Sequence, residues 1–95
     1  MRLIFSPRAK ADLEEIWTYT AERWGIDQAE TYLRQLQAAA DAAAEAPQSG
    51  RGCDDVRPGY FKRQAGAHVL FYRPEGQTVD IVRILHQRMD FDRHL

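Results

Sequence analysis

Cys53 is the only cysteine in the chain, which excludes an intrachain disulfide and any cysteine-rich metal site. A reducing, cytosolic location fits that scarcity. No apolar run approaches the ~20 residues that a membrane span needs. The opening stretch Met1-Arg2-Leu3-Ile4-Phe5-Ser6-Pro7 is too short in apolar residues for a signal peptide. There is no Gly-rich phosphate loop, no internal repeat and no linker. The one biased patch is the alanine-rich Ala38 to Ala46. Net charge is scarce too: the formal value of -1 gives no overall field toward nucleic acid or membrane.

What is present is a soluble, single-domain composition over residues 1–95, with 44% hydrophobic and 28% charged residues. A chain of this length buries roughly 60–65% of its unfolded surface, enough for one core and little else. The charge is unevenly spread. Residues 1–45 carry 8 acids and 5 bases, whereas residues 46–95 carry 6 acids and 8 bases. Of the 13 bases, 11 are arginine, whose forked guanidinium suits carboxylate, phosphate and interface pairing.

Arg2 to Phe5 reads as a short strand. Ser6-Pro7 then supplies an N-cap and a proline at the first helical position. Apolar residues at Ala9, Leu13, Ile16, Trp17 and Trp24 mark the buried stripe of a first helix, leaving Arg8, Asp12, Glu15, Glu22 and Arg23 to water. Gly25 is the expected stop. Asp27, with Glu30 three residues on, reads as a capping box for a second helix. Its stripe is Ala29, Tyr32, Leu33, Leu36, Ala40 and Ala43, and Pro47 ends it. A connection of about two residues makes the pair an antiparallel hairpin. Gln48 to Asp54 reads as a loop, and Asp55 to Arg57 as a short strand before the Pro58-Gly59 turn. Tyr60 to Gln64, His68 to Arg73 and Thr78 to Leu85 read as strands, with breaks at Ala65-Gly66 and Pro74-Glu75-Gly76. Asp90 to Leu95 is a polar tail with room for one helical turn. The expected class is α+β: an N-terminal strand and an antiparallel two-helix hairpin packed on a mainly antiparallel sheet of about four strands.

In this order and at these spacings the chain resembles the ParE branch of the RelE/ParE toxin superfamily. Ser6-Pro7-Arg8-Ala9, Asp12-Leu13 and Ile16 are similar to the family's first helix. Gly25, Gln28-Ala29 and Tyr32 are similar to its second, and Pro47 and Gly50 to the loop that follows. Arg57-Pro58-Gly59-Tyr60 resembles its entry to the sheet, His68 and Phe71-Tyr72 its central strand. Arg83-Ile84-Leu85-His86 with Met89-Asp90 resembles its closing block. The resemblance implies the toxin of a bacterial toxin–antitoxin pair, neutralised by a small ParD-like antitoxin. The Arg-rich and aromatic side chains left over from so small a core lead us to expect that this partner lays an amphipathic helix and an extended segment over the domain, adding to a sheet edge or filling a groove beside the helices. In the ParE branch the target is DNA gyrase; in the RelE branch it is messenger RNA on the ribosome. DNA contact would come only through the antitoxin.

The residues bear on that choice. RNA cleavage needs a base, an acid and cations around the transition state. The candidates are His68 and His86 as base and acid, Arg57, Arg63 and Arg83 as cation donors, and Tyr60 as a hydrogen-bond donor. Strand alternation puts Arg83 and His86 on opposite faces unless a bulge intervenes. Each also has a plainer reading: Arg83 as a partly buried ion pair, His86 as a packed strand end and His68 as an exposed strand start. The near-neutral charge, with a sequence pI of about 6.3, also runs against a ribosomal nuclease. A protein poison needs no catalytic residues. Its contact residues are expected among Tyr19, Arg57, Tyr60, Arg63, Tyr72, Arg83, Met89 and Arg93. A third alternative is an inactive family member that binds only an antitoxin. No cofactor is expected. His86, Asp90 and His94 have helix-like spacing for a metal, but His86 ends a strand, so no metal site is expected. Asp54-Asp55 reads as a solvated turn.

Overall fold

Ser6 changes the chain from strand to helix in one residue. The computed structural model describes residues 1–95 and places strand β1 at Arg2–Phe5 and helix α1 at Pro7–Trp24. The Ser6 hydroxyl accepts from the Ala9 N–H at 3.0 Å and donates to the Val82 carbonyl at 2.7 Å. It therefore caps the helix and ties it to the sheet together. Gly25, at φ +95°, closes α1 and opens helix α2, Ile26–Glu45. The expected two-residue connection is a single glycine, because one left-handed residue reverses the chain. That leaves no room for the capping box. Asp27 lies inside the first turn of α2, which has no side-chain cap, and there its charge still suits the helix dipole.

The sheet order is β1-β5-β4-β3-β2. Strand β2 is Arg51–Gly52, β3 is Phe61–Ala65, β4 is His68–Glu75 and β5 is Thr78–His86. Only β1 runs parallel to its neighbour. Two boundaries differ from expectation. Residues 55–57 form no strand: the Val56 and Arg57 N–H groups both donate to the Cys53 carbonyl, which coils the segment, and the short strand falls earlier at Arg51–Gly52. Strand β4 also runs through Pro74 to Glu75, with the turn at Gly76-Gln77. Pro74 lies past the last β3 pair, Phe61↔Tyr72, so its missing N–H interrupts no ladder there.

A bulge decides which β5 side chains face the helices. Tyr72 pairs with Ile81 but Phe71 pairs with Arg83, so Val82 is the extra residue. Ile84 thereby joins Val79 and Ile81 in the core under the helices, with Leu36, Leu70 and Tyr72. Val69, Phe71 and Leu85 form a smaller core with Cys53 on the other face. It is covered by Phe91 of the one-turn helix α3 (Phe91–His94), by Leu95 and by Val56 and Tyr60. With both faces covered, Val69 to Tyr72 is buried as a continuous run.

The polarity of α1 departs from its apparent stripe. Asp12, expected to face water, is 8% exposed, while Trp17 and Trp24, expected in the core, are 37% and 61% exposed. The buried positions are Ala9, Asp12, Ile16 and Thr20, so the stripe is narrower than hydrophobicity implies. Trp17 sits about 100° round the helix from Ile16, and Trp24 is the last helical residue, at the tip of the hairpin. Ala9, Ala29, Ala40 and Ala43 are fully buried, the small side chains that let α1, α2 and the sheet approach closely.

Candidate partner-binding groove

Past Phe5, the edge of strand β5 turned away from β4 has no strand beside it, and the start of α1 supplies the missing partners. The Ser6 N–H donates to the Ile81 carbonyl, and the Ile84 N–H donates to Asp12 Oδ2 at 2.9 Å. Arg83 meets the same carboxylate in a bidentate fork, Nε to Oδ2 at 2.8 Å and Nη2 to Oδ1 at 2.9 Å. Its Nη1 donates to the His94 carbonyl at 3.0 Å. The hydrogen bonds from Arg83 to Asp12 hold the guanidinium pKa above its ordinary value despite burial. One buried pair thus joins α1, β5 and the C-terminal turn.

Between this end of α1 and the sheet runs a groove in two adjoining sections of about 330 and 320 Å³. Tyr19, His68 and His86 line both sections. The bulge is what brings His86 there, directly across from His68 in the register, with ring centroids 5.4 Å apart. The Tyr32 hydroxyl accepts from the Ala67 N–H at 3.0 Å. Its own proton can go to His68 Nδ1 at 2.6 Å or the Ala65 carbonyl at 3.4 Å. The shorter contact assigns it to Nδ1, so neutral His68 carries its proton on Nε2. Burial, and then the neighbouring His86, push the His68 pKa below 6.5, against a smaller opposing pull from Asp12. Burial likewise raises the Tyr32 pKa, against the Ala67 hydrogen bond. The groove floor is therefore two imidazoles and a neutral phenol.

At the mouth, Tyr19 and Trp24 meet edge to face with centroids 6.2 Å apart. The Arg23 guanidinium lies 5.2 Å from the Tyr19 ring and 5.7 Å from the Trp24 ring. Tyr19, Trp24 and Ile26 are all more than half exposed. An aromatic pair ordered around an arginine, beside a groove, has the composition of a binding hot spot.

The other sequence candidates scatter. Met89, 37% exposed, lines the groove. Arg83 is buried in its ion pair. Tyr72 is fully buried and donates to the Pro47 carbonyl at 2.7 Å, so it presents nothing to a partner. Arg57, Tyr60, Arg63 and Arg83 do not form the single basic face expected of them. Strand alternation puts Arg63 opposite Leu70 on the helix side, whereas Tyr60 covers the far core and Arg57 reaches the Leu95 carbonyl. Arg93 is exposed on α3. No three His, Cys, Asp or Glu side chains converge as metal ligands. No helix is long and apolar enough to cross a membrane. Sequence reasoning assigns Trp24 to the core stripe and Arg23 to water, and neither to binding; position 24, at a helix end beside Gly25, is the signal that would have placed Trp24 at the surface.

Residues 3–91 match the family model described as ParE toxin of type II toxin-antitoxin system, parDE. The chain belongs to the ParE toxin family. It is 61% identical over 95 residues to Toxin ParE1 of Mycobacterium tuberculosis, covering 99% of this chain and 97% of that one. It is 49% identical over 90 residues to Toxin ParE1 of Caulobacter vibrioides, covering 95% and 93%. Toxin ParE of Escherichia coli is 33% identical over 90 residues, covering 92% and 85%. Among solved structures, a chain from the chromosomal ParDE TA system from P. aeruginosa superposes with a TM-score of 0.80 at 20% identity, covering 90% of this chain and 95% of that one. A YoeB/ParE toxin from Agrobacterium tumefaciens superposes with a TM-score of 0.62, also at 20% identity, covering 92% and 99%. These likenesses bear out the expected fold. The ParE fold here is a helical hairpin over a five-stranded sheet, and the chain is a toxin of a type II toxin–antitoxin system.

Proposed function

We propose that this ParE toxin acts in the cytoplasm as a protein poison of DNA gyrase that performs no chemistry itself, and that a ParD-like antitoxin neutralises it by covering the groove. One observation carries the reading. The only strand arginine near the two histidines, Arg83, spends its guanidinium on Asp12 and the His94 carbonyl. An RNA cleavage site needs a free cation for the pentavalent phosphate. The groove instead offers two imidazoles, a neutral phenol and an exposed aromatic rim, which suit a protein surface. A toxin that also stabilises a plasmid or chromosomal locus would need this partner to keep it silent.

A second reading rests on His68 and His86, which do converge. An RNA endonuclease of the RelE type would use one as base and the other as acid. The two readings separate on one bench. Purified toxin is incubated with gyrase, ATP and relaxed plasmid, and in parallel with translating ribosomes and a defined message. Inhibited supercoiling or trapped cleaved plasmid, with the message intact, is the expected result. A cut message with gyrase untouched overturns it, and His68→Ala or His86→Ala should then abolish cutting. Inertness in both assays leaves a family member that binds only its antitoxin.

A further inference from the structure

On the sheet face turned away from the helical hairpin, Arg51 and Lys62 stand directly opposite each other across β2 and β3. Directly opposed side chains have Cβ atoms roughly 4.5–5.5 Å apart, and like charges so placed are destabilising. Neither cation has a carboxylate within salt-bridge distance: every ion pair in the molecule belongs to Arg34, Arg73 or Arg83. The two border an open groove of about 410 Å³, completed by Gln64, Val69, Gln87 and Phe91. No acidic residue lines it. The Lys62 ammonium lies 5.8 Å from the centre of the Phe91 ring, and Gln64 and Gln87 amides bond each other at 2.8 Å. Beside the groove, β2 pairs only with Phe61 and Lys62, so past Lys62 the outer edge of β3, the one turned away from β4, has no strand on it.

We infer that this edge is a second docking surface, for an extended acidic segment of a protein partner. Two opposed cations with no carboxylate of this chain in reach suit a partner that brings carboxylates of its own. Past Lys62, antiparallel alternation turns the backbone N–H and C=O of Gln64 outward to an extended chain, and the exposed amides can serve its backbone or side chains. Nucleic acid is the weaker fit. Two cations give few phosphate contacts, and the formal charge of -1 supplies no wider field to hold a polyanion. The surface lies on the opposite face from the His68–His86 groove and stands whether or not gyrase is the target.

The test uses the whole chain and fluorescence anisotropy at low salt. The probes are a labelled peptide of alternating Glu and Val, its Gln-Val counterpart and a labelled DNA duplex of mixed sequence. The Glu-Val peptide should bind, weaken with salt and outbind both others. Arg51→Gln and Lys62→Gln should each weaken it about two- to fivefold. Lys62→Glu should weaken it further, and Arg34→Gln on α2 should change nothing. The thermal midpoint of Arg51→Gln should hold or rise, because the change removes repulsion. Equal binding of the Gln-Val peptide, tighter binding of the duplex, indifference to both substitutions, or a lowered Arg51→Gln midpoint would each overturn the inference.

Discussion

Removing the Asp12 carboxylate strands two groups at once: the Arg83 guanidinium and the Ile84 N–H. Both side chains of the pair are only 10% exposed, so the rule for buried pairs applies rather than the one for surface pairs. Asp12→Leu should therefore cost about 3–5 kcal/mol in urea unfolding. Combining it with Arg83→Met removes the unpaired charge. The double variant should lose only about 1–3 kcal/mol, the cost of the orphaned Ile84 N–H. A double variant as unstable as Asp12→Leu alone would mean the charge is not what matters. His68 makes a separate prediction. Its folded pKa lies below 6.5, so the unfolded chain takes up a proton that the folded chain resists. Stability is then lost as pH falls through 6.5 and levels off below the folded pKa. The thermal midpoint should drop between about pH 7.5 and pH 5.5, and His68→Gln should flatten the drop. Asp12 was illegible in the sequence because helical periodicity sorts residues by polarity. Nothing local records that a bulged strand edge waits for an acceptor.

The helices and the three longer strands were legible from capping, periodicity and turn residues, and the structure moves their ends by a residue or two. What local signals missed were the joints. Gly25 was correctly a helix stop, but that it also starts α2 depends on its single left-handed φ. The bulge at Val82 leaves no mark in an apolar run where every residue is acceptable on either face. It nevertheless decides that Ile84 and His86, not Arg83 and Leu85, face the helices. The short strand β2 has the composition of a loop and exists only because β3 offers an edge. Gly50, just before it, shows how tight that joint is. Its φ of -76° is ordinary, so alanine meets no backbone strain. An added Cβ would, however, fall inside the Tyr72 hydroxyl. Gly50→Ala should cost about 1–3 kcal/mol as an overpacked site. Adding Tyr72→Phe, which removes the obstructing oxygen, should recover part of that loss. If Gly50→Ala is neutral by circular dichroism melting, the turn is looser than its contacts indicate.

Across the whole molecule, apolar surface left outside the core concentrates at the hairpin tip, where Tyr19, Trp24 and Ile26 are exposed beside the groove. A chain this small keeps a tryptophan 61% exposed at a cost in solubility, which points to a partner rather than to packing. Trp17 and Trp24 are the only tryptophans, so their fluorescence reports that partner directly. Both are exposed in the free toxin, and the native emission should resemble hydrated indole. Adding a ParD-like antitoxin that fills the groove should shift it to the blue. Trp24→Phe should remove most of the shift. Trp17→Phe should leave it, because Trp17 lines neither section of the groove. Trp24→Ala should change unfolding stability by no more than about 0.5 kcal/mol, yet weaken the complex by more than ~1 kcal/mol, at least fivefold in Kd. A complex that forms with no shift, or whose shift belongs to Trp17, would place the antitoxin elsewhere on the toxin.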